Sequence, residues 1–369
     1  MKTDTGTRTT TAHLTPTSTM RAARYTKATG MLAVMDVPVP EPGPGEVLVK
    51  IAFCGICLTD VHVVEGRVQT PLDVVTPGHE SAGTIERRGP DVPEIWAVGD
   101  RVAIYSARRD GVCAACIIGG DAEQCLNLQV MGVDYDGAWA EFVVAPHTAL
   151  VAVPEGVPLE QAAIMADAVG TPYAALTDSA ALRPGESVGV WGAGGLGVHA
   201  IQLARAIGAS PIIAVDTLDA ARTRAPEFGA DAALDPRAPA FAQRIEELTQ
   251  NRGLDVALDF VGAPPTVIQA EASLTRFGRL VIVGSTTAPL EFPSSHHLVR
   301  RQHIIRGHLG YFSRHLRALV ALVHSRRLDL SRSISELLDL DEVAEGVRRL
   351  DQKVGNPIRL VIQMGPPTY

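Results

Sequence analysis

Short apolar runs separated by clusters of Pro and Gly fill the first part of the chain. They predict β-strands over residues 20 to about 168, the clearest at 47–53, 101–105 and 141–145. From about residue 170, buried-type apolar runs alternate with segments of helical period. These runs lie at 188–191, 212–215, 255–260 and 280–283. Strands that alternate with helices predict a parallel α/β sheet with right-handed crossovers.

The two ends of the chain differ from this pattern. Residues 1–19 are Thr-rich and polar, lack the apolar core of a signal peptide, and cannot bury enough surface to offset their ordering entropy. They predict a disordered extension, with the folded part beginning near Met20. The tail contains a helical segment at 314–324, a patterned segment at 341–350 and an apolar strand at 358–362. We expect this last strand to return to the β-rich domain and make that domain discontinuous.

Composition narrows the class of protein. A length of 369 residues suits two domains. A net charge of −8 and a sequence pI near 5.8 argue against nucleic acid or an anionic membrane surface as the partner. No apolar stretch reaches the about 20 residues of a membrane span. Five cysteines, an odd number, without a secretory signal indicate a cytoplasmic protein whose thiols serve metal binding or chemistry.

A glycine-rich turn predicts a dinucleotide site. The sequence GAGGLG follows the strand at 188–191 directly and opens a segment of helical period; its members are Gly192, Gly194, Gly195, Leu196 and Gly197. Glycines there allow a tight turn, close approach of the pyrophosphate and close packing of helix on strand, with the phosphates at the helix N-terminus. Asp216 ends the next strand, where a carboxylate accepts ribose hydroxyls and repels a 2′-phosphate. This favours NAD over NADP; the alternative is a structural turn beside an exposed Asp.

Two clusters of metal-ligand residue types precede this turn. One contains Cys57 and the pair His79 and Glu80; the other contains Asp110, Cys113, Cys116 and Cys125. Taken alone, a Cys/His pair such as Cys57 and His79 is better explained as a buried thiol and a hydrogen-bonded core histidine. Their order ahead of a dinucleotide turn favours metal sites.

The order of these motifs identifies a family resemblance. The landmarks are 20–24 (MRAAR), 55–62 (GICLTDVH), 77–80 (PGHE), 136–141 (DGAWAE), 192–197 (GAGGLG) and 358–359 (IR). From Met20 to Met364 the chain resembles a zinc-dependent alcohol dehydrogenase of the medium-chain dehydrogenase/reductase superfamily. The resemblance implies a GroES-like β-rich catalytic domain (20–168 and 307–369) and a Rossmann doubly wound, parallel-sheet NAD-binding domain (169–306). It also implies a homodimer or homotetramer and a small-molecule alcohol or carbonyl substrate.

The resemblance assigns the catalytic zinc to Cys57, His79 and a third position, which is Asp167 here and a cysteine in many relatives. A carboxylate oxygen is also a zinc ligand and carries the same charge as a thiolate. Glu80 would approach the metal from the other side or support it indirectly, and Asp60 would orient His79 through its far ring nitrogen. Cys54, in an apolar run, is expected to be a buried thiol. The structural zinc of the family falls on Asp110, Cys113, Cys116 and Cys125, with Asp110 where a fourth cysteine is usual; the alternative is a lobe held by packing without metal.

The resemblance also assigns the remaining roles. Thr59 and His62 match a relay that passes the substrate proton to solvent, with the cofactor ribose between them; the alternatives are a capping hydroxyl and a surface histidine. Thr171, Leu196 and Val283 would lie near the nicotinamide, and Arg359 would reach the pyrophosphate. Leu58 stands where many relatives have Arg or His against the phosphates, which predicts weaker NADH binding.

The predicted activity is NAD-dependent interconversion of a primary or secondary alcohol and its aldehyde or ketone. One alternative is a divergent reductase of the same fold that acts on an activated C=C or C=N bond without catalytic zinc. Another is a silent NAD-binding paralogue, against which the set Cys57, Thr59, His62 and His79 argues. The substrate is expected to contact loops at 63–75 and 288–298. A late histidine group, which matches no family motif, is expected to be solvated or at an interface: His296, His297, His303 and His308.

Overall fold

The computed structural model describes residues 18–118, 125–292 and 294–365. Its strands are β1 (Thr19–Thr26), β2 (Met31–Pro38), β3 (Glu46–Ile56), β4 (Val74–Val75), β5 (Ser81–Arg88), β6 (Arg101–Ile104), β7 (Ala107–Arg108), β8 (Gln129–Val130), β9 (Phe142–Pro146), β10 (Leu150–Ala152), β11 (Val188–Trp191), β12 (Ile212–Val215), β13 (Ala232–Leu234), β14 (Leu254–Asp259), β15 (Leu274–Ile282), β16 (Ile304–Gly307), β17 (Ile334–Asp339) and β18 (Arg359–Gln363).

The α-helices are α1 (Leu58–Val64), α2 (Ala114–Ile117), α3 (Leu159–Ile164), α4 (Gly170–Ala174), α5 (Gly197–Ile207), α6 (Asp219–Arg224), α7 (Phe241–Leu248), α8 (Pro264–Ala272), α9 (Ser295–Arg301), α10 (Ser313–His324) and α11 (Val343–Asp351). Two π-helical turns, Met165–Val169 and Ala175–Ser179, lie on either side of α4. None of the helices among the described residues has the length and apolar character needed to cross a membrane.

The second half of the chain forms a six-stranded parallel sheet. Its strand order is β13-β12-β11-β14-β15-β16. The order reverses between β11 and β14, and the crevice at the carboxyl ends of those strands is where nucleotides bind in such sheets. The glycine turn that follows β11 lies at this point. The predicted doubly wound α/β fold is confirmed.

The larger sheet is antiparallel except for the parallel pair β17–β18, and it joins the two ends of the described chain. Its order is β10-β6-β5-β3-β18-β17, and β9 also pairs with β3. In the antiparallel pairing of β18 with β3, Leu360 lies opposite Ile56. Because Cys57 follows Ile56 directly, this register brings the start of β18 beside the first residue of the predicted metal site.

Two predicted boundaries shift slightly. β1 begins at Thr19, one residue before the predicted start, because Thr19 already pairs with Pro38. Residues 1–17 of the predicted extension lie outside the described residues. Gly307, predicted to begin the second part of the catalytic domain, instead pairs with Ile282 as the last residue of β16.

Candidate active site

The turn between β3 and α1 presents Cys57, and a buried carboxylate fixes it. Asp60, fully buried, accepts hydrogen bonds from the backbone N–H groups of Cys57 (2.9 Å) and Gly78 (3.0 Å). The same carboxylate lies 3.0 Å from His79 Nδ1. A carboxylate accepts the Nδ1 proton, so Nε2 of His79 is left to face the cleft. Asp60 therefore positions both the thiol and the imidazole.

A glycine lets His79 approach this turn. Gly78 has φ of +99°, and a Cβ on it would lie 2.5 Å from the Trp139 ring. The backbone can therefore take this conformation against the buried indole only with glycine at this position.

Asp167 comes to the same place from the π-helical turn Met165–Val169. Its Oδ2 lies 3.3 Å from Cys57 Sγ and 3.6 Å from His79 Nε2. Two donors on a tetrahedral zinc with S, N and O bonds of ordinary length stand about 3.4–3.6 Å apart. Both distances from Asp167 Oδ2 are therefore close to the spacing of zinc ligands. π-Turns are frequent at functional sites, and this one aims the Asp167 side chain into the cleft.

The electrostatics of this cluster favour a cation at its centre. Burial would lower the pKa of His79, but the charge of Asp60 and the Asp167 carboxylate raise it well above its usual value. Burial would raise the pKa of Asp167, but the His79 ring lowers it. Burial and the Asp167 charge raise the pKa of the Cys57 thiol. Without metal the cluster holds protons, and a divalent cation that binds these donors would displace them.

Glu80 and Arg359 form the inner wall of the site. Glu80 is fully buried, and neither carboxylate oxygen accepts a hydrogen bond from any described residue. One guanidinium nitrogen of Arg359 lies 3.4 Å from Glu80 Oε1, and another donates to Ile56 O at 2.9 Å. Burial raises the pKa of Glu80 to about 8, against the charge of Arg359. A buried carboxylate without hydrogen bonds next to three donor atoms fits a fourth ligand of a metal ion, and the donor atoms of all four side chains lie within 4.8 Å of one another.

Arg359 also links this cluster to the glycine turn. A Cβ on Gly195 would lie 3.2 Å from the Arg359 guanidinium. Gly197 must be glycine because its Cβ would lie 1.8 Å from Gly192 O. Asp216 accepts the Ala193 N–H at 2.8 Å through one oxygen and the Leu218 N–H at 2.8 Å through the other. The glycine turn at the N-terminus of α5 therefore lies beside Arg359, which in turn contacts Glu80 of the metal cluster.

The remaining predicted cofactor contacts lie around this crevice. Val283 follows β15, and its N–H donates to Asp259 O at 2.8 Å. Leu196 is the N-cap residue of α5. Thr171 is buried, and its hydroxyl donates to Asp167 Oδ1 at 2.6 Å. That last contact was not anticipated from the sequence, which assigned Thr171 to the nicotinamide alone.

The predicted relay residues lie on one short helix. Thr59 Oγ1 lies 3.8 Å from Cys57 Sγ, and His62 is three residues further along α1. Burial and the charge of Arg67 lower the pKa of half-buried His62. Leu58 is 47% exposed at the start of the same helix.

The second cluster also converges. Cys125 Sγ lies 3.5 Å from Asp110 Oδ1 and 4.0 Å from Cys113 Sγ, and the donor atoms of Asp110, Cys113, Cys116 and Cys125 all lie within 4.8 Å. The Leu126 N–H donates to Cys113 Sγ at 3.4 Å, and this bond lowers the pKa of that thiol. Backbone N–H groups directed at sulfur stabilise thiolates, the form that binds zinc. Cys54, by contrast, is fully buried, as expected, and burial raises the pKa of its thiol well above its usual value.

The late histidines do not form one solvated group. The side chain of His303 is fully buried and that of His297 is 30% exposed, and both contact the buried Glu271. The expectation of solvation is therefore wrong for His303. Sequence reasoning missed Glu271, whose only signal is a single carboxylate in the otherwise uncharged helix α8. His308 instead contacts Ser179 Oγ at 2.9 Å and Thr171 O at 3.2 Å.

Comparison with known proteins agrees with this geometry. Residues 43–155 match the family described as alcohol dehydrogenase GroES-like domain, and residues 195–325 match zinc-binding dehydrogenase. The L-threonine 3-dehydrogenase of Pyrococcus abyssi is 35% identical over 72% of this chain and 76% of its own. The NAD-dependent alcohol dehydrogenase of Sulfurisphaera tokodaii is 34% identical over 74% and 80%. Among solved structures, the alcohol dehydrogenase TADH from Thermus sp. ATN1 superposes with a TM-score of 0.86 at 29% identity, over 94% of this chain and all of its own.

A GroES-like domain, a doubly wound nucleotide-binding domain and a cluster of zinc donors together define an oxidoreductase. The chain belongs to the zinc-type alcohol dehydrogenases of the medium-chain dehydrogenase/reductase superfamily.

Proposed function

We propose that the chain interconverts a primary or secondary alcohol and its aldehyde or ketone, with NAD(H) as the hydride carrier and a zinc ion held by Cys57, His79 and Asp167. The observation that supports this most is the spacing of their donor atoms, with Asp167 Oδ2 at 3.3 Å from Cys57 Sγ and 3.6 Å from His79 Nε2. When bound, zinc supplies Lewis acidity that lowers the pKa of a hydroxyl group. Glu80 is the fourth donor available from the protein side.

The supporting residues have separate tasks. Asp60 accepts the Nδ1 proton of His79, so that Nε2 would be the ring nitrogen that binds the metal, and it also accepts a hydrogen bond from the Cys57 backbone. Asp167 offers a harder oxygen donor where many relatives have a thiolate, and it keeps the total charge of the donor set the same. Arg359, 3.4 Å from Glu80 Oε1, would balance the charge of Glu80 once a bound metal ion displaces its proton.

The proton that leaves the substrate hydroxyl needs a path to solvent. The Thr59 hydroxyl would accept this proton as it donates its own, and His62 would take up the proton at the solvent side; the bound cofactor would supply ribose hydroxyls between the two residues. Because burial and Arg67 lower the pKa of His62, its ring is neutral near pH 7 and able to accept a proton. Thr59 and His62 lie on the same helix, α1, which starts at the zinc ligand Cys57.

The nucleotide is proposed to be NAD. The glycine turn and the N-terminus of α5 would hold the pyrophosphate together with Arg359. Asp216 would accept the adenosine ribose hydroxyls and repel a 2′-phosphate. Thr171, Leu196 and Val283 would surround the nicotinamide. Asp110, Cys113, Cys116 and Cys125 would hold a second, structural zinc, and we expect a homodimer or homotetramer.

The test measures zinc per chain by plasma emission in the wild type and in Asp167→Ala, both purified without added metal. Ethanol, propan-2-ol and L-threonine are then screened with NAD and with NADP. We expect about one zinc fewer per chain in the variant and loss of alcohol oxidation. Asp167→Cys is the matched control and should retain the metal. Equal zinc content in the wild type and Asp167→Ala would contradict the proposal and favour the reductase that acts without catalytic zinc.

A further inference from the structure

A third cluster of ligand residue types lies on the nucleotide-binding domain, away from both proposed zinc sites. Glu271 on α8, His297 on α9 and His303 just before β16 bring their donor atoms within 4.8 Å of one another. One Glu271 oxygen, Oε1, lies 3.0 Å from His297 Nε2 and 2.6 Å from His303 Nδ1. Three separate elements of the fold therefore meet at a single carboxylate.

The hydrogen bond of His303 Nε2 determines the protonation of the other ring nitrogen, Nδ1, which faces Glu271. His303 Nε2 is 3.1 Å from Thr275 O, an oxygen that only accepts hydrogen bonds. Nε2 must therefore carry a proton, and in the neutral ring Nδ1 has a lone pair that points at the Glu271 oxygen. Two lone pairs at 2.6 Å repel each other, so a positive centre must lie between these atoms, either an additional proton or a metal ion.

One oxygen of the Glu271 carboxylate has no hydrogen-bond partner among the described residues. Glu271 is fully buried, and its Oε2 accepts no hydrogen bond from any described residue. A buried carboxylate oxygen without a partner is costly. The burial of Glu271 and His303 contrasts with the 30% exposure of the His297 side chain. His297 thus marks the route by which an ion from solvent would reach the pocket.

We propose that Glu271, His297 and His303 form a third metal site, which takes a divalent transition-metal ion of the Zn²⁺ or Ni²⁺ type. Two imidazoles and one carboxylate are a donor set that zinc accepts with a water as its fourth ligand, and imidazole also suits nickel. The ion replaces the proton between His303 and Glu271, and Oε2 becomes available to it.

The pocket must open slightly to take the ion. Donors on zinc stand about 3.4 Å apart, whereas the contacts with Glu271 Oε1 are 2.6 Å and 3.0 Å. The partly exposed His297 on the seven-residue helix α9 is the ligand that can move. A bound metal ion would therefore link α9 to α8 and to the start of β16, and it would stabilise the folded state.

The experiment titrates NiCl₂ or ZnCl₂ into the tag-free full chain, purified with its tightly bound metal and dialysed against metal-free buffer. Calorimetry should show about one additional equivalent bound, and the melting temperature should rise with the metal concentration. His297→Gln keeps a side-chain amide that can donate to Glu271 but is a poor metal ligand, and it should weaken this binding at least about tenfold. His296→Ala, a substitution at the exposed neighbouring histidine, is the matched control and should bind as the wild type does.

Two results would overturn the proposal: no saturable uptake by the wild type, or equal uptake by wild type and His297→Gln. Either would assign the cluster to a shared proton and a purely structural role. Because the readouts are bound metal and melting temperature, neither result bears on the proposed dehydrogenase activity, which is tested at Asp167.

Discussion

The Thr171 hydroxyl donates a 2.6 Å hydrogen bond to Asp167 Oδ1, and it thereby turns the other carboxylate oxygen, Oδ2, toward Cys57 and His79. The two residues are four apart, Asp167 in the π-turn and Thr171 in α4, so they lie on one face of the continuous helical segment. Thr171 is therefore a positioning residue for the proposed third zinc ligand. A carboxylate held by one oxygen offers the other to the metal in a fixed direction.

Replacing Thr171 by Val should weaken zinc binding by about 10- to 100-fold, because the change removes the hydroxyl and keeps the branched shape. Zinc affinity is measured by chelator competition without NAD, so that any effect on the nicotinamide pocket is excluded. Thr171→Ser keeps the hydroxyl and should remain within a few-fold of the wild type. Equal affinities of Thr171→Val and wild type would show that Asp167 needs no such support.

Local motifs were readable from the sequence because each depends on neighbouring residues. The strand, glycine turn and helix from β11 to α5 form one contiguous unit, and Asp60 lies close to Cys57 along the chain. The contact of Arg359 with Glu80 depends instead on the register of β18 against β3, which no local pattern encodes. The Glu271 cluster was missed for the same reason, since its members come from three elements and a buried carboxylate leaves no periodic signal.

Asp110 stands where a fourth cysteine is usual in the second cluster, and its role can be tested by substitution. Asp110 Oδ1 faces Cys125, and its Oδ2 accepts from the Asn127 side chain at 2.6 Å. We expect Asp110→Ala to lose about one zinc per chain and to lower the melting temperature by about 5 °C or more. Asp110→Cys, which restores the usual four thiolates, should keep the zinc. Unchanged zinc content in Asp110→Ala would mean that the lobe is held by packing alone.

Nucleotide choice should respond to Asp216. Two arginines donate to backbone oxygens beside it, Arg222 to Asp216 O and Arg237 to Thr217 O, both at 2.8 Å. Both arginines also pair with Asp235, at 3.6 Å and 2.8 Å, and removal of the Asp216 carboxylate lowers the negative charge that would oppose a 2′-phosphate beside them. In Asp216→Ser we expect kcat/KM for NAD to fall at least about tenfold relative to NADP. Glu246→Gln, at an exposed carboxylate on α7, is the control and should leave the ratio unchanged. An unchanged ratio in Asp216→Ser would contradict the assignment.

Stability below neutral pH should depend on His199, which is fully buried on α5 with Nε2 2.9 Å from Ser333 Oγ. Burial and the Arg359 charge lower its pKa from 6.5 to about 3. The unfolded chain takes up a proton at His199 below pH 6.5, whereas the folded chain takes it up only near pH 3. The free energy of unfolding is therefore unaffected by this residue above pH 6.5, and it falls as the pH is lowered from 6.5 to about 3. At pH 5.5 the loss from this residue is roughly 1.4 kcal/mol.

Urea unfolding at pH 7.5 and pH 5.5 should therefore show a smaller drop in unfolding free energy for His199→Gln than for the wild type, by about 1.4 kcal/mol. The comparison uses the change with pH, so any constant cost of the substitution cancels. His324→Gln, at an exposed histidine on α10, should follow the wild type. If His199→Gln loses as much stability as the wild type between the two pH values, the pKa of His199 is not lowered in the folded chain, and its burial does not cause the loss of stability.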